Sequence, residues 1–151
     1  MPSLAIALGS NLGDRRAHLE WAIDRLRASL SQLRVSAFLD TDPVEVPDVQ
    51  PRYLNAVVVG ETGETAAAIL ETLRCLETER GRQRPSFRAA RTLDLDLILY
   101  GDEVIHTADL EVPHPRFRAR RFVLEPLASL APDWKDPVTG KTVGELLRDI
   151  R

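Results

Sequence analysis

The sequence predicts an α+β fold: a ferredoxin-like split-βαβ antiparallel sheet with helices packed on the sheet and extra C-terminal elements. Short apolar runs alternate with stretches of helical spacing in the order βαββαβ, which is the first observation behind this reading. The 151 residues suit one domain, 1–151, and no Pro/Gly/Ser-rich linker divides them. A content of 44% hydrophobic and 28% charged residues is ordinary for a globular chain and supplies a core.

Leu4 to Leu8 is a short apolar run ending in Gly9-Ser10-Asn11-Leu12-Gly13-Asp14, the shape of a buried strand that turns into a helix. Leu19, Ile23, Leu26, Leu30 and Leu33 then recur at steps of three and four, predicting an amphipathic helix from Asp14 to about Leu33. Val35 to Leu39 reads as the second strand. From Asp40 to Pro51 three prolines remove ladder donors, so a long loop is expected, and its length makes it a lid or substrate-loop candidate. Tyr53 to Glu61 resumes as a valine-rich strand, Glu64 to Arg80 as a helix, and Thr92 to Tyr100 as a strand, with the helices expected on one face of the sheet. Gly101-Asp102 can turn into a hairpin at Val104-Ile105. Helical spacing returns over Arg120 to Leu130 and near Val143 to Ile150.

Twenty basic against 23 acidic residues give a net charge of -3, which favours neither nucleic acid nor an anionic membrane as partner. Cys75 is the only cysteine, so neither an internal disulfide nor a cysteine-based zinc cage is available. Apolar runs fall short of a membrane span, and the N-terminal residues carry no basic leader pattern, so a cytoplasmic protein is expected. The oligomeric state is not readable from the sequence, and a monomer is compatible with it.

In Thr92-Leu93-Asp94-Leu95-Asp96-Leu97-Ile98-Leu99-Tyr100 the period is two: Leu93, Leu95, Leu97 and Leu99 face the core while Asp94 and Asp96 project together, roughly 7 Å apart, from the other face. Neighbouring carboxylates repel and invite a cation; magnesium fits, being commonly held by one or two carboxylates plus substrate phosphates. A solvated polar face, or pairing with nearby arginines, would account for the pattern equally well. Arg80, Arg82, Arg84, Arg88 and Arg91 follow one another without an intervening acid, and Arg116, Arg118, Arg120 and Arg121 form a second cluster after His114. Guanidinium forks suit phosphate, so arginine loops beside an acidic pair point to phosphoryl-transfer chemistry. The alternative is that arginine is simply the preferred surface cation of a chain with only two lysines, Lys135 and Lys141. No P-loop, GxGxxG, HExxH or GxSxG pattern is present. Gly9 to Gly13 fits a tight turn and helix cap as well as a ligand contact, and Cys75 reads as a helix side chain rather than a nucleophile.

Taken together, ALGSNLGD at the start, YLNAVV at 53–58, LETERGRQR at 76–84, RTLDLDLILYG at 91–101 and VPHPRFRARRFVLEPLASLAPD at 112–133 resemble the 6-hydroxymethyl-7,8-dihydropterin pyrophosphokinases of folate biosynthesis. The resemblance runs over nearly the entire chain and implies the ferredoxin-like architecture. It also implies transfer of pyrophosphate from ATP to the pterin hydroxymethyl group, with AMP as product and two magnesium ions as cofactor. By the same resemblance Asp94 and Asp96 hold the metal, Arg82 and Arg91 lie against the transferring phosphates, and Glu77, Arg84, His114 and Arg120 surround ATP. Tyr53 and Phe122 would stack on the pterin, Asn55 would bond its polar edge, and Val44 would contribute from the proline-rich loop. Phe87 stands in the segment where the family often has a tryptophan, and Arg74 where a glutamine is common.

Two rivals differ in class. A ferredoxin-like RNA-binding module would need stacking aromatics on its central strands, where this chain has Asp94 and Asp96. A small-molecule binding domain would bind without turnover. For Tyr53 and Phe122 the plain alternative to stacking is core packing.

Overall fold

The computed structural model describes residues 1–41, 52–81 and 92–150. Its principal sheet contains β1 (Ser3–Ser10), β2 (Ser31–Val35), β3 (Leu39–Thr41), β4 (Tyr53–Glu61) and β5 (Asp94–Tyr100). The order is β2-β4-β1-β5, every pairing is antiparallel, and β3 extends the β2 edge along β4. This is the expected split-βαβ arrangement. A small pair, β6 (Ile105–His106) with β7 (Glu111–Val112), follows β5.

Helix α1 (Arg15–Leu26) begins where the Asp14 carboxylate accepts from the Ala17 amide at 3.1 Å. Helix α2 (Ala66–Glu79) begins where the Thr65 hydroxyl accepts from Ala68 at 3.1 Å. Both caps satisfy first-turn donors that the helix itself leaves open. Helix α1 is shorter than its leucine spacing predicts. Leu30 is buried in the same core, but the chain has already turned, and Leu33 belongs to β2. A helix and the strand after it pack on one core, so their leucines mimic a single helical period. The second strand is shifted too. Instead of Val35 to Leu39 there are two short strands, and Ser36 bridges the gap: its amide donates to the Val57 carbonyl and its hydroxyl accepts from the Val57 amide, both at 2.9 Å.

The two helices of the βαββαβ unit lie on one face, as expected, and the extra C-terminal helices cover the other. Helices α1 and α2 bury Leu4, Ile6, Leu8, Leu54, Ala56, Val58, Leu95 and Leu97 on one side. On the other side α3 (Arg121–Leu130) and α4 (Val143–Asp149) cover Ala5, Val57, Val59, Ile98 and Leu99. Leu99 therefore does not share a face with Leu93, Leu95 and Leu97. The β1–β5 register shifts between Ala5 and Ile6, pairing Ile6 with Leu97 but Ala5 with Leu99. One extra residue in β5 turns Leu99 over and brings Tyr100 into the first core, as a bulge must.

The C-terminal region is fastened by Asp136, which is fully buried. It accepts from the Arg118 guanidinium through both oxygens, from the Val138 amide at 3.0 Å and from the Thr139 hydroxyl at 2.8 Å. Those hydrogen bonds hold its carboxyl below the ordinary range although burial opposes them. Among the described residues no helix is long and apolar enough to cross a membrane.

Candidate active site

Strand β1 is the middle of the site. Gly9 lies opposite Asn55 on β4 and opposite Asp94 on β5; Ala7 lies opposite Val57 and Asp96. Cross-strand partners share a face, so Asn55, Asp94 and Asp96 stand on the side away from α1 and α2, together with Tyr53 two residues before Asn55. Asp94 is half-buried and Asp96 exposed. A β-carbon at Gly9 would lie 3.3 Å from Asn55 Oδ1 and 3.6 Å from Tyr53 Cδ1, so glycine leaves the room these side chains occupy.

Asn55 is buried, and its Nδ2 donates to Thr41 Oγ1 at 2.6 Å. Phe122, in the first turn of α3, packs partly buried against the core of this same face. The Arg120 guanidinium lies 5.5 Å from the Phe122 ring centroid. Tyr53 and Phe122 thus belong to one side of the sheet. Neither is fully buried, which separates them from the core side chains proper.

Glu77 and His114 meet the outer edge of β5. Glu77, buried on α2, accepts from the Leu95 amide through Oε2 at 2.8 Å, and the His114 amide donates to the Ile98 carbonyl at 2.9 Å. These contacts satisfy backbone groups that an edge strand presents outward. His114 Nδ1 accepts from the Arg116 amide at 3.1 Å. Burial lowers the His114 pKa to about 4, with Arg120 and Arg116 adding to the effect and Glu111 opposing it. At neutral pH the imidazole is therefore uncharged. With Nδ1 accepting, its proton sits on Nε2, ready to be donated.

A separate hollow of about 470 Å³ lies between α2 and the β6–β7 pair, with Leu70, Ile105 and Leu110 in its lining. Arg74 lines it too and donates from Nη2 to the Asp109 carbonyl at 3.3 Å, tying the helix to the hairpin loop. Cys75 is exposed on the same helix. His18 lies within α1, as its sequence position predicts, and accepts at Nδ1 from Arg80 Nε at 2.9 Å.

Val44, Arg82, Arg84, Arg91 and Phe87 lie outside the described residues. The structure adds Gly9 and Thr41 to the residues read from sequence. Gly9 is not part of the turn, since β1 runs on to Ser10; a lone glycine closing an apolar strand was the available signal. Thr41 carried none, because β3 is only three residues long. Among the described residues no three His, Cys, Asp or Glu side chains gather into a metal cage. Asp94 and Asp96 instead offer two hard oxygen donors side by side, which suits a cation that takes its other ligands from a phosphate substrate and water.

The sheet is ferredoxin-like, and the family comparisons place the chain among transferases of the kinase class. The family model for 7,8-dihydro-6-hydroxymethylpterin-pyrophosphokinase matches residues 5–132, and the chain belongs to that family. It is 39% identical over 147 residues to the 2-amino-4-hydroxy-6-hydroxymethyldihydropteridine pyrophosphokinase of Synechocystis sp., covering 96% of this chain and 74% of that protein. The protein of the same name from Pseudomonas aeruginosa is 40% identical over 145 residues, covering 94% of this chain and 88% of the other. Among solved structures, the Plasmodium falciparum HPPK-DHPS A437G variant with STZ-DHP superposes with a TM-score of 0.80 at 14% identity, over 98% of this chain and 45% of that one. This chain therefore spans less than half of that solved protein, and the likeness carries the fold alone. The family's activity is pyrophosphate transfer from ATP to hydroxymethyldihydropterin in folate biosynthesis.

Proposed function

We propose that this chain, as one domain over 1–151, transfers a pyrophosphoryl group from ATP to the hydroxymethyl oxygen of 6-hydroxymethyl-7,8-dihydropterin. The observation that carries the reading is the row of Asn55, Gly9 and Asp94 across one sheet face, with Tyr53, Asp96 and Phe122 on the same side. The hydroxymethyl oxygen attacks the β-phosphorus of ATP, the bond from that phosphorus to the bridging oxygen breaks, and its electrons leave on AMP. The hydroxyl proton passes to solvent.

In this reading Tyr53 and Phe122 flank the flat pterin, Asn55 hydrogen-bonds its edge, and Val44 adds an apolar contact. Asp94 and Asp96 would hold two magnesium ions, which would supply neutralisation of charge on the ATP phosphates. Arg82 and Arg91 stabilise the charge that develops on the transferring group. Glu77, Arg84, His114 and Arg120 surround the nucleotide. His114 donates from Nε2 without adding a cation, and Glu77 also fixes β5 between the two aspartates through Leu95.

The experiment is direct. Incubated with ATP, magnesium and the pterin, the protein is expected to release AMP and pterin diphosphate in equal amounts. Release of ADP, or tight pterin binding without turnover, would overturn the proposal.

A further inference from the structure

Arg15, the first residue of α1, reaches the rung of the sheet that carries Tyr53 and Asn55. Its Nη1 and Nη2 donate to Asp40 Oδ1 and Oδ2 at 3.0 and 3.2 Å, and Nη1 also donates to the Arg52 carbonyl at 2.9 Å. Arg52 in turn donates from Nη2 to the Asp40 carbonyl at 3.1 Å. One guanidinium thus grips both β3, at Asp40, and the residue that enters β4. The Arg15 hydrogen bond is also the main reason the Asp40 carboxyl is held below its ordinary range.

Strand alternation divides the work. Asp40 pairs with Leu54 and turns toward the α1 side, whereas Thr41 pairs with Tyr53 and Leu39 with Asn55 on the opposite side. Thr41 Oγ1 then accepts from the Asn55 amide. A strand of three residues has too few ladder bonds to hold a register firmly, and a bidentate pair closed by a carbonyl supplies the missing constraint.

We propose that Arg15 is a positioning residue for the pterin: from behind the sheet it locks the β3–β4 rung, and through Thr41 it fixes Asn55 and Tyr53 toward the substrate. This rests on the pterin-facing role given to Asn55 and Tyr53 above. An exposed ion pair that served stability alone would matter little to any ligand.

The test compares Arg15→Gln, Asp40→Asn and the double variant, with Arg27→Gln at the far end of α1 as a charge control. Titration calorimetry measures binding of 6-hydroxymethyl-7,8-dihydropterin with magnesium and α,β-methylene-ATP present, binding of the analogue itself, and thermal unfolding is followed alongside. Each single variant is expected to weaken pterin binding about three- to tenfold, the double about as much as the worse single, with analogue affinity within about twofold and Arg27→Gln unchanged. In turnover the pterin KM rises while kcat at saturation holds. Unchanged pterin affinity in both singles would overturn the inference. So would pterin and analogue affinity falling together with the melting temperature, or losses that add in the double variant. If the wild-type protein itself bound no pterin, the function proposed above would fail, and this inference with it.

Discussion

Along β1 the side chains facing α1 and α2 are Leu4, Ile6 and Leu8, all essentially buried, while those on the other side shrink from Ala5 and Ala7 to Gly9. Two faces of one strand are thus made differently. The first is filled from end to end by aliphatic side chains of two capped helices. The second is covered by α3 and α4 only over Ala5, Val57, Val59, Ile98 and Leu99, and beyond them it presents Tyr53, Asn55, Asp94 and Asp96. Large residues close a sheet face by burying area, and small ones in the central strand leave depth for a ligand between neighbouring side chains. A closed face therefore serves as the rigid backing on which an open one can hold polar groups in place.

Substitutions on the two faces should separate stability from chemistry. The largest effect is expected for Asp94→Ala and Asp96→Ala, each lowering AMP formation about a hundred- to a thousandfold with thermal unfolding unchanged, because the carboxylates contribute to transfer rather than to packing. A variant that kept near wild-type rates at limiting magnesium would remove the metal role from the open face. On the closed face Leu73→Ala should cost about 3 kcal/mol of folding stability, with substrate affinities of the folded fraction preserved. Denaturant unfolding reads this, and pterin affinity changing more than stability would mean that the backing is not independent of the site.

Phe122→Ala sits between the two behaviours, since the ring packs on the second core while remaining partly exposed. A loss of about 2 kcal/mol in pterin binding, with little change for the nucleotide, is expected if the ring stacks on a planar ligand. Lost stability with intact pterin affinity would return Phe122 to the core.

The smallest effect is a pH dependence. His114 titrates near 4 when folded against an ordinary 6.5, so the unfolded chain binds a proton that the folded one refuses as the pH falls between those values. Its share of stability is complete above pH 6.5 and is lost on acidification, by about 1 kcal/mol from pH 7 to pH 5.5. In His114→Gln that slope should flatten; an unchanged slope would show that burial of this imidazole is not linked to folding.

Local pattern was enough for the strands β1, β4 and β5, for α2 and α3, and for the projection of Asp94 and Asp96 from one face, because periods of two and near four are written in single residues. Paired carboxylates two residues apart could be placed on one face without coordinates, whereas Arg82, Arg84 and Arg91 lie outside the described residues. The end of α1, the second helical layer and the turning over of Leu99 were decided only when the elements packed. An apolar residue records that it is buried but not which face buries it, and a register shift in one strand depends on the partner strand beside it. The same reason hid what Gly9 leaves room for, and with it Thr41 and Arg15. Each acts through a neighbour distant in sequence, Asn55 for the first two and Asp40 for the third, and only the sheet brings those pairs within reach.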